Sequence, residues 1–388
     1  MTRFRGATAV VGVGATEYYK RGTSPLSSAQ LVLRAILGAC EDAGADPRSI
    51  DGFVSYAGDS SEGLVLGAAL GVREVRWSTQ VLGGGGGAVA AAVNCAAAAV
   101  YSGQANCVAV YRGLSEGTDG RGAYNKGHMG HLYTAHGMLA PAQVCALRTQ
   151  RMLEVDRVPA SALEAVALAG YHHAQNNPAA VAYGRPLDHD GYQASRLISE
   201  PLRLFDCSRE NDGATAILVV AADRTGDYRG RPAYILSGVQ GAAAGWSESV
   251  ENERDYTSAG FHPALVQRLW TDAQIGPADV DVSQVYENFT GPAVAAMIDH
   301  GLCPGGPAAG DYLTVDNLTV EKGSLPINTA GGNIAEGFVH GIGLVAEAVR
   351  QIRGGSPNPV QDADISLLIG GPMAPLVSST VFGSASTI

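Results

Sequence analysis

Tyr286-Glu287-Asn288-Phe289 follows the strand-like run Val280 to Val285, so the tyrosine emerges where a strand ends and where α/β sheets collect their sites. A phenol there can donate or remove a proton if its environment lowers a pKa that begins near ~10. The other reading is a core ring with a satisfied hydroxyl, and Tyr56, its counterpart in an internal repeat, keeps that reading open. A second constellation is Asn328-Thr329-Ala330-Gly331-Gly332-Asn333, ahead of a helix predicted to start near Ala335 and to carry Glu336, Phe338 and His340. A Gly-Gly turn at a helix N-terminus offers backbone N–H groups to an oxyanion. His340 lies one turn beyond Glu336 on the same predicted face, where the carboxylate either orients the imidazole or faces one substrate with it; a helix cap with a surface ion pair is the alternative. The densest histidine cluster is His128, His131 and His136 with Tyr133. Zinc needs three or four ligands at closed spacing, and this spacing has no cysteine or carboxylate support, which leaves substrate contact from a loop, or a solvated loop.

Gly83 to Gly87 stand ahead of the Ala-rich helical run Ala88 to Val100 and make a backbone-only turn whose N–H groups can approach a ligand, with no side chain at the helix entrance. Two familiar motifs fail on context. Val11-Gly12-Val13-Gly14 holds Glu17 where a dinucleotide fingerprint needs its third glycine, so a tight strand-to-loop turn is the better reading. Gly113-Leu114-Ser115-Glu116-Gly117 has the spacing of a nucleophile elbow, but Thr118 to Gly122 cannot supply the helix that motif requires. No G-x-x-x-x-G-K phosphate loop or zinc-protease spacing is present, and no cofactor is expected on this chain.

These residues need a large scaffold. At 388 residues the chain exceeds the size of one growing core, so two similar domains or a pseudo-duplicated unit are expected. An apolar content of 46% with 51 glycines fits a tightly packed, turn-rich α/β enzyme rather than a disordered chain. The net charge of −11 disfavours nonspecific binding to nucleic acid or anionic membrane, while a local basic patch can still receive an anionic substrate. The six cysteines form no CxxC pair and lie mostly in apolar runs, as buried thiols of a reducing, cytoplasmic protein do. Met1 to Gly6 have no signal-peptide core, and the longest apolar run, 88–101, is too short to span a bilayer.

An internal repeat organises the scaffold. Ala39 to Tyr56 placed over Leu269 to Tyr286 without gaps aligns Asp42 with Asp272, Ala43 with Ala273, Pro47 with Pro277, Asp51 with Asp281 and Tyr56 with Tyr286, at a constant offset of 230. A looser pair is helix 88–101 with the strand Cys107 to Tyr111, against a helix after 338 with the strand Ile365 to Ile369. Doubling at this long period implies two paired domains, with residues 1–230 as one and 231–388 as the other. Strands are expected at Ala7 to Val13, Phe53 to Tyr56, Asn106 to Tyr111, Ala214 to Ala221 and Ala233 to Val239, with a helix from Ser27 to Ala43 capped by Ser24 or Ser27. The fold class is layered α/β. Residues 113–205 break the rhythm and read as an insertion over the site, where a substrate lid is expected.

Together these segments resemble the thiolase superfamily, and within it the sterol-carrier-type branch, over essentially the whole chain. The resemblance rests on Val10 to Gly14, Ser27 to Gly52, Ala140-Pro141-Ala142-Gln143, Pro201 to Ser208, Asp212-Gly213-Ala214, Val285 to Thr290, Leu325 to Asn333 and Gly370-Gly371-Pro372, all in family order. It implies two pseudo-duplicated βαβαβαββ domains in a five-layered αβαβα arrangement, and a homodimer. It also places the family's acyl-accepting cysteine at or near Gly86, its second cysteine at Leu368, and its two catalytic histidines at Phe338 and Tyr286. Without a thiolate no acyl-enzyme can form at that site.

A subgroup with this pattern, the cysteine-lacking steroid side-chain-cleaving aldolases once labelled lipid-transfer proteins, uses tyrosines for retro-aldol cleavage of a β-hydroxyacyl-CoA. The resemblance implies a ketone and a shortened acyl-CoA such as propionyl-CoA as products, coenzyme A as part of the substrate, and a small OB-fold/zinc-ribbon partner that carries any zinc and completes a heterotetramer. Tyr286 matches one family tyrosine; the other falls at Phe338, within Glu336-Gly337-Phe338-Val339-His340-Gly341. Tyr286 or His340 is then the expected base, and Gly86, Asn288, Gly331, Gly332, Asn333, Glu336, Phe338 and His128 are the expected substrate contacts, with the space emptied at Gly83 to Gly87 admitting a bulky substrate. The missing cysteines equally fit a noncatalytic acyl-CoA or lipid carrier. A condensing or acyl-transfer enzyme using Cys95 or Cys145 is a further alternative, although Cys95 lies inside an apolar helix.

Overall fold

The computed structural model describes residues 4–83, 85–119, 131–242 and 257–388. Its first strand, β1 (Thr8–Ala15), carries the two glycines that mimic a dinucleotide motif. They serve helix–strand packing: a Cβ at Gly12 would lie 2.3 Å from the Ala39 carbonyl oxygen, and one at Gly14 2.1 Å from that of Ala35. Both carbonyls belong to α1 (Ser28–Ala43), which Ser27 caps in a capping box with Gln30 and which Gly44 ends in the left-handed region.

Along the chain follow β2 (Gly52–Tyr56), β3 (Trp77–Val81), α2 (Val89–Tyr101) and β4 (Cys107–Leu114). The central segment holds α3 (Pro141–Glu154) and α4 (Ser161–Ala174) and leads to β5 (Asn211–Ala221). The second half contains β6 (Ala233–Gly241), α5 (Pro263–Ala273), β7 (Val282–Val285), α6 (Thr290–Asp299), α7 (Ile342–Arg353), β8 (Ile365–Gly370) and β9 (Val377–Gly383).

The strands run in the order β3-β2-β4-β5-β1-β6-β9-β8-β7. Read outward from the β1/β6 junction, the halves match: β1, β5, β4, β2 on one side and β6, β9, β8, β7 on the other, with β2/β4 and β7/β8 parallel and the pairs nearer the junction antiparallel. The counterpart of β3 is reduced to a parallel bridge between Ser283 and Ile327. The halves meet edge to edge at Ala9–Tyr234 and Val10–Ala233, and residue 230 falls in the loop between β5 and β6.

Three apolar cores account for five layers. One lies between α1 and the first half-sheet, and another joins the second half-sheet to α5, α6 and α4. Between them, α2 and α7 pack against strands of both half-sheets. The offset of 230 holds in detail. Gly44 and Gln274 both end their helices in the left-handed region, at φ 66° and 58°. The 3-10 turns Pro47–Ser49 and Pro277–Asp279 also correspond.

One expectation about local structure is corrected. The helix predicted from Ala335 through His340 does not form: a single turn, Gly332–Ala335, ends at Glu336, and α7 starts only at Ile342. His340 and Gly341 both have positive φ, 49° and 81°, which breaks the helical path. Within residues 113–205, where a lid is expected, the described helices form a buttress. Helices α3 and α4 pack on α6, and the Val181 and Ala182 amides donate to the Glu336 and Ala335 carbonyls at 2.8 and 3.0 Å.

Candidate active site

Strand β7 delivers Tyr286. Asn328, itself at φ 49°, stands in for a missing neighbour strand: its amide oxygen accepts from the Val285 N–H at 2.8 Å and its amide nitrogen donates to the Val285 carbonyl at 3.0 Å. The Tyr286 N–H then donates to the Ile369 carbonyl at 2.9 Å, and the ring leaves the sheet toward the N-terminal ends of α2 and α7. A Cβ at Gly86 would lie 1.9 Å from two Tyr286 ring carbons and 2.3 Å from the hydroxyl oxygen. One at Gly341 would lie 2.4 and 2.5 Å from two carbons of the same edge, Cδ2 and Cε2. One edge of the ring therefore packs against both glycines that precede the two central helices. The space at Gly86, expected to be open for a bulky substrate, is taken by the tyrosine.

Phe338 lies edge-on to Tyr286 at 6.0 Å between ring centroids and to His340 at 5.6 Å, so the three rings form one cluster. Asn211 fixes Phe338 by its backbone, exchanging bonds with the Phe338 N–H and carbonyl at 3.2 and 3.1 Å. The His340 carbonyl accepts from the Tyr56 hydroxyl at 2.7 Å, so the repeat partner of Tyr286 is structural here. On its ring, His340 Nδ1 receives the Arg112 Nε–H at 3.1 Å. Burial, and then the Arg112 charge, hold this imidazole well below its usual pKa, so it is neutral at pH 7. Arg112 itself is buried and paired with the buried Asp59 at 2.8 Å.

Sequence reasoning missed Arg112 and Asp59. The available signal was a lone arginine in β4, whose other residues are apolar or glycine and all buried; such a charge needs a partner.

Glu287 turns beneath the Gly331–Asn333 turn. Its Oε1 accepts from the Ile334 N–H at 3.3 Å, and a Cβ at Gly332 would strike it at 1.9 Å. Burial pushes the Glu287 carboxyl up to about 8, so it is protonated at pH 7. Its Oε2 and the Asn333 amide nitrogen are buried without a hydrogen-bond partner among the described residues. Asn288 is half-buried and binds Phe289 N–H through its side chain and Ser208 N–H through its carbonyl.

Glu336 faces away from His340. It lines a cavity of about 390 Å³ with Tyr18, Asn177 and Arg350, and burial raises its carboxyl to about 8. The pairing of Glu336 with His340 is therefore overturned by the broken helix. His128 lies outside the described residues. Leu368, at the second cysteine position, is an apolar core residue of β8. All six cysteines are free thiols, and burial raises the pKa of Cys95. No group of histidine, cysteine and carboxylate side chains among the described residues could hold a metal ion.

Two half-sheets of equal strand order around a shared pair of helices, with the Tyr286 ring at those helices' N-termini, define a thiolase-fold protein. Residues 242–382 match the thiolase C-terminal domain-like family. The acetyl-CoA acetyltransferase of Syntrophomonas wolfei superposes with a TM-score of 0.70 over 97% of this chain and 99% of its own, at 14% identity.

The chain belongs to the steroid side-chain-cleaving aldolases of that fold. It is 35% identical over 381 residues to the 17-hydroxy-3-oxo-4-pregnene-20-carboxyl-CoA lyase of Mycobacterium tuberculosis, covering 95% of this chain and 97% of the relative. It is 33% identical over 397 residues to the steroid side-chain-cleaving aldolase of Thermomonospora curvata, covering 99% and 100%. The solved Ltp2-ChsH2(DUF35) aldolase superposes with a TM-score of 0.90 at 32% identity over 98% of both chains. The chain is thus a carbon–carbon lyase that lacks the thiolase cysteines, and not a noncatalytic carrier.

Proposed function

We propose that this chain cleaves a β-hydroxyacyl-CoA of a steroid side chain by retro-aldol chemistry, releasing a ketone and a shortened acyl-CoA such as propionyl-CoA. The observation that carries the reading is the Tyr286 ring lying against Gly86, where a nucleophile's side chain would otherwise stand. A proton carrier has taken the nucleophile's place. In the reaction Tyr286 removes the proton of the β-hydroxyl, the carbon–carbon bond breaks, and its electron pair passes to the α-carbon as a thioester enolate. The proton taken up by Tyr286 is then returned to that carbon, which yields the shortened acyl-CoA and regenerates the base. The enolate oxygen lies near the positive ends of α2 and α7, with donors from the Gly331 to Asn333 turn and from His340. Phe338, in place of a second tyrosine, supplies an apolar wall and no hydroxyl.

The substrate class is supported by the names of the two relatives, a steroid-CoA lyase and a steroid side-chain-cleaving aldolase. A small OB-fold/zinc-ribbon partner is supported by the pairing of Ltp2 with ChsH2(DUF35) in the solved relative's name. In this reading two copies of each chain form the heterotetramer, zinc resides in the partner, and the enzyme works in the cytoplasm. Among the described residues no helix is long and apolar enough to cross a membrane.

Mass spectrometry of products tests the reading, with and without the partner, on a CoA thioester bearing a tertiary β-hydroxyl. A ketone and a shortened acyl-CoA in equal amounts are expected. Substrate returned intact from the folded complex would exclude it.

A further inference from the structure

The Arg112 guanidinium can only donate, so the 3.1 Å contact from its Nε fixes His340 Nδ1 as the acceptor and puts the imidazole's proton on Nε2. Arg112 has little freedom to let go. One terminal nitrogen binds Asp59 Oδ2 at 2.8 Å and the Gly113 carbonyl at 2.9 Å, and the other reaches the Ala57 carbonyl at 3.3 Å. Asp59 is held in turn by the Ser61 N–H at 2.7 Å and the Gly113 N–H at 3.0 Å. An imidazole in this grip cannot serve as a base. Its Nδ1 lone pair is in use, Nε2 already carries hydrogen, and a further proton would place a second cation against a buried guanidinium.

We propose that Arg112, anchored by Asp59, is a positioning residue that keeps His340 as a neutral Nε2–H donor aimed at a substrate oxygen, the thioester oxygen that carries charge in the enolate. This rests on the reading that His340 touches substrate. It leaves proton removal to Tyr286 alone. Among the described residues, the charged and titratable groups that face His340 include Arg112 on β4, Asp59 behind it, Tyr56 at the end of β2 and, across Gly341, Tyr286 after β7.

Two readouts on the partner-bound enzyme separate the claims. Nitrogen-15 NMR of histidine-labelled enzyme, with the His340 signal assigned from His340→Ala, should show the Nε2–H form from pH 8 down through 6. In Arg112→Met the imidazole should gain a proton in that range. Arg112→Lys keeps the charge without the Nε–H donor and should leave the ring neutral but lose the fixed tautomer. In kinetics on the same CoA thioester, Arg112→Met should lower kcat about 10- to 100-fold more than it raises KM, and its kcat/KM should acquire an acidic limb that the wild type lacks above pH 6. Arg112→Met/His340→Ala should be no slower than His340→Ala. An unchanged tautomer and pH profile in Arg112→Met, with losses that multiply in the double variant, would overturn the positioning role. Full activity in His340→Ala, with the Nε2–H signal present in the wild type, would instead refute the substrate contact and leave the tautomer assignment standing.

Discussion

A methyl group at Gly86 and the ring of Tyr286 cannot occupy the same volume, so glycine and tyrosine act as one unit. Gly86→Ala should displace the ring by about an ångström and cost about 10²-fold in kcat, because misplacement on that scale is enough to spoil a reacting geometry. In a double-mutant cycle with Tyr286→Ala, the alanine at 86 should be tolerated, giving a stability coupling of about 1–3 kcal/mol by urea denaturation. Additive losses would mean the two residues do not share space. At this scale the sequence was partly legible. Tyr286 announced itself by following a strand, but its site against Gly86 needed two segments far apart in the chain to meet. Arg112 carried a readable signal, a charge in an apolar strand, that motif reasoning passed over because it matched no catalytic pattern. Glu336 misled: its spacing to His340 fits a helical face only if the helix runs unbroken, whereas the turn ends at Glu336, Gly337 is crowded by Tyr18, where a Cβ would approach within 2.7 Å, and His340 has φ 49°.

The repeat that the sequence showed most clearly is enforced by single carboxylates. Asp51 accepts from the Asn106 and Cys107 N–H groups at 2.8 and 2.9 Å, tying the loop before β2 to the start of β4. Asp281, 230 positions on, accepts from the Asp364 and Ile365 N–H groups at 2.9 and 2.8 Å and ties the approach to β7 to the start of β8. Each removal strands two backbone donors, so Asp51→Ala and Asp281→Ala should each cost about 1–3 kcal/mol in urea denaturation. The two losses should add, since the sites lie in opposite half-sheets. A loss at only one of them would show that the elements match in shape but not in their supports. Strands and helices with strong apolar patterns were legible here because each is set by its own residues. The break between Ala335 and Ile342 was not, because the buttressing amides of Val181 and Ala182 come from the inserted segment.

Across the whole molecule, the layered packing has buried ionisable groups of both kinds. His173 and His300 are pushed down to about 4 and His340 is lowered as well, while Glu287 and Glu336 are pushed up to about 8 and Asp299 to about 7. The histidines resist a proton that the unfolded chain takes up below 6.5, so their stabilisation is present above that pH and is lost on acidification. The glutamic acids keep a proton that the unfolded chain releases above 4.5, so their stabilisation is present at low pH and is lost as pH rises toward 8. Above pH 6.5 only the carboxyl groups still act. The Tm should therefore fall between pH 6.5 and 8, and Glu287→Gln with Glu336→Gln should flatten that fall. A Tm that rises over this interval would contradict the burial of neutral carboxyl groups.

In the proposed chemistry Tyr286 acts where a thiolase carries its thiolate. The most direct measurement sets two rates side by side for wild type and Tyr286→Phe in the partner-bound enzyme: carbon–carbon cleavage of a β-hydroxyacyl-CoA, and thiolysis of a 3-ketoacyl-CoA by free coenzyme A. Cleavage by the wild type, reduced about 10²- to 10⁴-fold in Tyr286→Phe, with thiolysis absent from both, is the expected result. Cleavage that survives in Tyr286→Phe, or thiolysis abolished by a thiol-alkylating reagent, would contradict it.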